Sequence, residues 1–220
     1  MWKPDPVSVW TTVSATSEKR MVVLPDSSTV WLNKNSYVSY SDFQHETREV
    51  KLDGEAFFEV KRNPDKPFRI AGHQSMTEIL GTSFNLVSRT GAADRVEVVT
   101  GLVAFSSIQH PEVKLQLKPG KRGEVDDKLV ARETEIANPN FRSWQTGQLR
   151  FNNTGMDDVA SSLESYFGVA VQIQDSALTH CRFTGSFEKP EMQQVMDVPS
   201  LSIGLEAKEK EGRYLLYGKG

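Results

Sequence analysis

A single cysteine, Cys181, stands in this chain of 220 residues. One thiol closes no intramolecular disulfide and excludes a multi-cysteine zinc site. It fits a reducing compartment and equally an exported domain that does without disulfides. Long apolar runs are missing too: none exceeds about five residues, where a membrane helix needs about 20. No basic stretch followed by an apolar one opens the chain, so no secretory signal is visible. There is no excess of one charge. Lys plus Arg number 26 and Asp plus Glu 29, a formal net charge of −3, which excludes a strongly basic nucleic-acid binder. The halves on either side of residue 140 are both close to neutral, so no charged tail hides in the average. With 15 Gly and 10 Pro, collagen-like and low-complexity readings fail as well. What remains is the balance of a folded domain, 38% hydrophobic and 25% charged, long enough to bury a sizeable core.

Catalytic constellations are equally scarce. His45, His73, His110 and His180 lie far apart without the spacing of a helical metal site, the pattern of scattered surface histidines. Neither glycine-rich phosphate loop occurs, and there is no Gly-x-Ser-x-Gly elbow. Asp157 and Asp158 fall where the first turn of a helix is expected, where carboxylates offset the helix dipole. Cys181 is expected at an inward strand position as a buried structural thiol. Glu55 and Glu59, four apart on a strand, are expected to face solvent. The residues point to no enzyme, no metal and no cofactor.

Short strands fill the chain from Trp10 to about Ala131. Val30 and Leu32 alternate with Trp31 and Asn33, and Val50 and Leu52 with Lys51 and Asp53. Ala56, Phe58 and Val60 share one face. Period-two spacing places one set in a core and the other outward. Similar runs recur around Phe68, Ile79, Phe84, Val96, Phe105 and Leu115, with Gly, Pro, Asn or Asp in most gaps. This reads as an all-β domain over residues 1–140, coiled or sandwiched. After Asn138-Pro139-Asn140, a linker, Leu149 and Phe151 alternate as a strand. Met156, Val159, Ala160, Leu163, Tyr166 and Phe167 then recur at helical spacing. Thr154 suits the N-cap and Gly168 the C-terminal cap. Strands at Val169–Ile173, Cys181–Phe187, Ile203–Ala207 and Tyr214–Tyr217 surround a second helix carrying Met192, Val195 and Met196, which Pro199 should end or kink. Residues 141–220 thus form a doubled β-α-β unit, and the fold class is mostly β followed by a small α+β domain.

Several segments, in order, resemble the FecR family, the sigma regulators of cell-surface signalling. They are Leu24-Pro25-Asp26-Ser27-Ser28-Thr29-Val30-Trp31-Leu32-Asn33, Leu52-Asp53-Gly54-Glu55-Ala56-Phe57-Phe58-Glu59-Val60, Pro67-Phe68, Leu80-Gly81-Thr82-Ser83-Phe84-Asn85-Leu86 and Leu117-Lys118-Pro119-Gly120. The part from Trp144-x-x-Gly147-x-Leu149-x-Phe151 to Tyr166-Phe167-Gly168 is similar to the small domain that follows in Bacteroidetes-type members, itself similar to the secretin and TonB N-terminal fold. Ser27 departs from the family's turn glycine, and Pro199 interrupts a helix that normally continues.

The resemblance implies a twisted, solenoid-like first domain and the periplasmic region of a single-pass inner-membrane anti-sigma factor, whose membrane helix and cytoplasmic segment lie outside this chain. It implies a signal from the N-terminal signalling domain of a TonB-dependent outer-membrane transporter, and release of an extracytoplasmic-function sigma factor. No small-molecule substrate and no nucleic acid are expected. Some members cut themselves at the Gly-Thr bond matched by Gly81 and Thr82. For the docking surface, an exposed strand edge is the natural candidate, and Gln148, Arg150 and Asn152, alternating with Leu149 and Phe151, mark the expected strand. A carbohydrate-binding or structural β-domain is the alternative, with Trp31, Trp144 or Tyr166 stacking on sugars.

Overall fold

The computed structural model describes residues 9–126, 128–202 and 204–218. The chain divides into two compact units between Ile136 and Ala137. None of the described helices is long and apolar enough to cross a membrane.

The described part of the first unit is built from strands: β1 (Trp10–Ala15), β2 (Arg20–Val23), β3 (Thr29–Leu32), β4 (Ser36–Ser41), β5 (Arg48–Glu59), β6 (Phe68–Ala71), β7 (Ser75–Ile79), β8 (Ser83–Ser88), β9 (Asp94–Thr100), β10 (Val103–Ser107), β11 (Leu115–Leu117), β12 (Lys121–Val125) and β13 (Ala131–Glu135). All thirteen belong to one sheet. Its hub is β5. The first half of this strand pairs with β4 and, in parallel, with β6, whereas the second half pairs with β3 and β8. The exchange falls at Gly54, whose φ is +120° and where a Cβ would lie 2.4 Å from Ser36 Oγ. Only glycine fits such a bend. Both branches contribute to a single core containing Val38, Val50, Phe68 and Phe105 together with Val30, Phe58, Phe84 and Val96. Phe58 stacks on Phe84 at 5.2 Å and meets the edge of Phe68 at 6.4 Å.

Arg48, at the head of β5, is only 1% exposed. Its Nη1 donates to Asp26 Oδ2 at 2.5 Å and to the Lys61 carbonyl at 2.9 Å, and Nε donates to the Lys66 carbonyl at 2.9 Å. Asp26 in turn accepts the Ser28 N–H and hydroxyl. One guanidinium thereby ties the Pro25–Ser28 turn to the chain leaving β5. Ser27, at φ +64°, occupies the left-handed region where a glycine would carry no Cβ strain.

The second unit comprises a short helix α1 (Ser143–Thr146), β14 (Gln148–Gly155), α2 (Met156–Phe167), β15 (Val171–Ile173), a 3-10 turn (Ser176–His180), β16 (Arg182–Glu188), α3 (Met192–Ser202), β17 (Leu205–Lys210) and β18 (Arg213–Gly218). β14 and β16 make a two-stranded antiparallel sheet. β15, β18 and β17 make a three-stranded one, with β15 parallel to β18. Leu149, Phe151 and Phe183 from the first sheet, Val171, Leu205 and Leu216 from the second, and the helical residues Met156, Val159, Leu163, Val195 and Met196 form its own core.

Local details differ from the sequence reading. The N-cap of α2 is Gly155, with no side-chain cap, because the Thr154 hydroxyl instead accepts the Asn152 N–H at 3.0 Å. Gly168 is left-handed at φ +72° and closes the helix as expected. Pro199 lies inside α3, which runs on to Ser202; the proline forfeits one interior hydrogen bond, and the helix continues past it. Cys181 is half-buried at the end of the 3-10 turn, its thiol 3.7 Å from the Ala177 carbonyl, and lies outside β16. Asn138 and Asn140, read as linker, have side chains built into the second unit: Asn138 bonds the Ser162 hydroxyl at 3.0 Å, and Asn140 bonds the backbone of β14.

Candidate functional site

Gly81 and Thr82 form the connection between β7 and β8. A Cβ on Gly81 would lie 2.5 Å from Arg62 Cα, so backbone packs directly on backbone there. Gly101, at φ +75°, approaches from the other side: a Cβ on it would meet Thr82 Cγ2 at 2.5 Å and the Gly81 carbonyl oxygen at 2.8 Å. The flanking carbonyls are held, Leu80 O by Asn63 N and Thr82 O by Val60 N. Thr82 is 4% exposed, and its hydroxyl has no hydrogen-bond partner among the described residues. A buried hydroxyl left unpaired costs about 1–3 kcal/mol. Beside this bond lies an open cavity of about 390 Å³, lined by Arg62, Glu78, Leu80, Gly101, Leu102 and Gln116.

On β14, Gln148, Arg150 and Asn152 are exposed, and Leu149 and Phe151 are buried, as the alternation predicts. The Arg150 guanidinium bonds Gln148 Oε1 at 3.1 Å. The main chain of this edge, however, is already occupied. Arg150 N–H donates to Asn140 Oδ1 at 2.8 Å and Arg150 C=O accepts from Asn140 Nδ2 at 2.9 Å. Gln148 N–H donates to the Thr146 hydroxyl and Asn152 N–H to the Thr154 hydroxyl. Docking at β14 therefore has side chains to work with and few free backbone groups.

The aromatics considered for sugar stacking are not open platforms. Trp144 is 2% exposed. Trp31 is half-buried, its ring 5.9 Å from that of Phe57. Tyr166 packs against the second core and against Phe167 at 4.7 Å, and burial pushes its hydroxyl pKa up. No group of three or more His, Cys, Asp or Glu side chains among the described residues is placed to hold a metal.

A polar chain across β5, β8 and β9 escaped the sequence reading. Glu55 is half-buried and accepts Asn33 Nδ2 at 2.8 Å and Asn85 Nδ2 at 3.0 Å, correcting its placement in solvent; Glu59 is exposed. Asn85 also donates to Glu97 at 3.1 Å. Glu97 is 1% exposed, with Arg122 at 2.8 Å and Arg95 at 3.2 Å. Burial pushes its carboxyl upward and outweighs the pull of both arginines and of Asn85; Glu55 adds to the rise. Glu55, Asn85 and Glu97 each sit between apolar or glycine neighbours on a strand, so alternation marks them as outward and says nothing about what covers them.

Residues 10–104 match the family model described as FecR protein, and residues 148–216 match the model described as FecR, C-terminal. The two matches lie one in each unit, in the order of the family. The chain belongs to the FecR family. Two crystal structures of a candidate anti-sigma factor from Parabacteroides distasonis ATCC 8503, at 1.65 and 2.50 Å resolution, share the fold with TM-scores of 0.71. They are 27% and 26% identical, and the alignments cover 96% of this chain and 100% of each of those. No curated protein matches. Membership places the chain among sigma regulators, a signalling and regulatory kind of protein, and puts Gly81–Thr82 inside the FecR match and β14 inside the C-terminal one.

Proposed function

We propose that this FecR-family chain is the periplasmic sensor of a membrane-anchored anti-sigma factor. The N-terminal signalling domain of a TonB-dependent outer-membrane transporter binds its second unit. That contact biases the regulator toward the state that frees an extracytoplasmic-function sigma factor, held by a cytoplasmic segment outside these residues. The observation supporting this reading is the succession of the two family matches on two units with separate cores, alongside the likeness to a candidate anti-sigma factor. A relay works by differential binding: the transporter domain shifts the equilibrium only by as much as it prefers one state of the sensor. Gln148, Arg150 and Asn152 are the proposed contact residues, acting through their side chains because the backbone beside them is occupied. In a reporter strain carrying the full-length regulator, deleting residues 137–220 should abolish the response of sigma-dependent transcription to the inducer. An undiminished response contradicts the proposal.

The Thr82 hydroxyl, buried and without a hydrogen-bond partner among the described residues, supports a second reading, self-cleavage at Gly81–Thr82. The Thr82 oxygen attacks the Gly81 carbonyl carbon, and the Gly81–Thr82 C–N bond breaks as the hydroxyl proton passes to the freed Thr82 amine. Water then hydrolyses the ester, leaving a Gly81 carboxylate and a new N-terminus at Thr82. An intramolecular nucleophile held against its carbonyl gains greatly in effective concentration. Intact-mass spectrometry of purified protein should show two fragments meeting at this bond, and Thr82→Ala should leave only the full-length species. Full-length wild-type protein after prolonged incubation retires the reading.

A further inference from the structure

Among the described residues the second unit has four strand edges, and three of them are protected. The edge of β14 is closed by the side chains of Thr146, Asn140 and Thr154. β15 is three residues long and its Val171 N–H is taken by Glu164 Oε1 at 2.8 Å. β17 carries Glu206, Lys208, Glu209 and Lys210 exposed along its length. Capping, shortness and charge are the usual means of keeping an edge from recruiting another strand.

β16 uses none of them along its centre. Because Arg150 spends its N–H and C=O on Asn140, the pairs that exchange bonds across the two-stranded sheet are Leu149–Phe187 and Phe151–Gly185. The bond from Lys189 N–H to the Gly147 carbonyl continues that alternation. The N–H and C=O groups of Arg182, Thr184, Ser186 and Glu188 therefore point away from β14, and no described strand pairs with them. All four side chains are exposed on one face, while Phe183, Gly185 and Phe187 lie on the core side.

We infer that this edge pairs antiparallel with the β16 of a second copy of the chain, about a two-fold axis at Gly185. The strand is self-complementary in that register. Arg182 falls opposite Glu188 of the other copy, Thr184 opposite Ser186, and Phe183 opposite Phe187. The outward-pointing backbone groups of Thr184 and Ser186 then exchange hydrogen bonds. Gly185 meets its own equivalent at a non-hydrogen-bonded position, where opposed strands come closest and a side chain would be least welcome. Opposite charges directly across from each other stabilise a sheet, and like charges destabilise it. By symmetry each pair occurs twice. The result is a four-stranded sheet running β14-β16-β16-β14 across the pair of molecules.

Sedimentation equilibrium of the purified chain over a concentration series tests this. The mass should rise reversibly from 24.7 kDa toward twice that value. Glu188→Arg, on an exposed residue, places like charges opposite each other at both ends and should weaken association about tenfold or more. Adding Arg182→Glu exchanges the two charges and should restore association to within about threefold. Independently of any variant, hydrogen exchange at the Thr184 and Ser186 amides should slow as the wild-type concentration increases. A monomer at every concentration, which would leave the edge to a strand of another protein, overturns the inference. So does a double variant no better than Glu188→Arg, or amide exchange that ignores concentration.

Discussion

Replacing Arg48 with Met is expected to cost about 3–5 kcal/mol of folding stability, the range for breaking a buried ion pair from one side. Met keeps the apolar stem against the Phe68 ring, which lies 5.2 Å from the guanidinium carbon. It removes the charge facing Asp26, whose side chain is 16% exposed, and strips the donors from the Lys61 and Lys66 carbonyls. For a chain of this length the loss corresponds to a melting temperature about 10 °C lower. Asp26→Asn in the Arg48→Met background should recover part of that loss, since it removes the carboxylate left without a counter-charge. The two substitutions should therefore be strongly non-additive. Calorimetric unfolding of the four proteins provides the check. A loss under about 1 kcal/mol, or simple additivity, contradicts the assigned role.

That site also shows what a sequence carries and what it withholds. The turn Pro25-Asp26-Ser27-Ser28 and the strand beginning near Val50 are both visible as local patterns. The ion pair between Asp26 and Arg48 joins positions 22 apart, and nothing local says that a charged residue heading a strand will be buried. The same holds for Glu55, Asn85 and Glu97. Their neighbours alternate correctly, so the strands are legible, but burial of the second face depends on tertiary packing. Helix α2 was legible from its stripe of Met156, Val159, Ala160 and Leu163, all buried. Its N-cap was not, because it falls one residue later, at Gly155, and the Thr154 hydroxyl accepts from Asn152 instead. Asn140 reads as linker beside Pro139. Its part in closing the β14 edge emerges only once that strand is known to have one neighbour. The family segments survive this loss because they are contiguous: Gly54 in its run marks the bend at which β5 changes partners, and Gly81 marks a place where only backbone fits.

The relay account stands or falls on contact with a transporter. The second unit has its own core, and Arg150 projects exposed from β14 with one side-chain bond among the described residues, to Gln148, so changing it should leave the fold intact. Titrating the N-terminal signalling domain of the genome-linked TonB-dependent transporter into the purified chain, with calorimetric detection, measures that contact directly. The account predicts saturable heat with one domain bound per chain. Arg150→Glu should weaken binding about tenfold without altering the circular dichroism spectrum, as reversal of an interfacial charge does. No detectable heat with any genome-linked transporter domain would contradict the central claim.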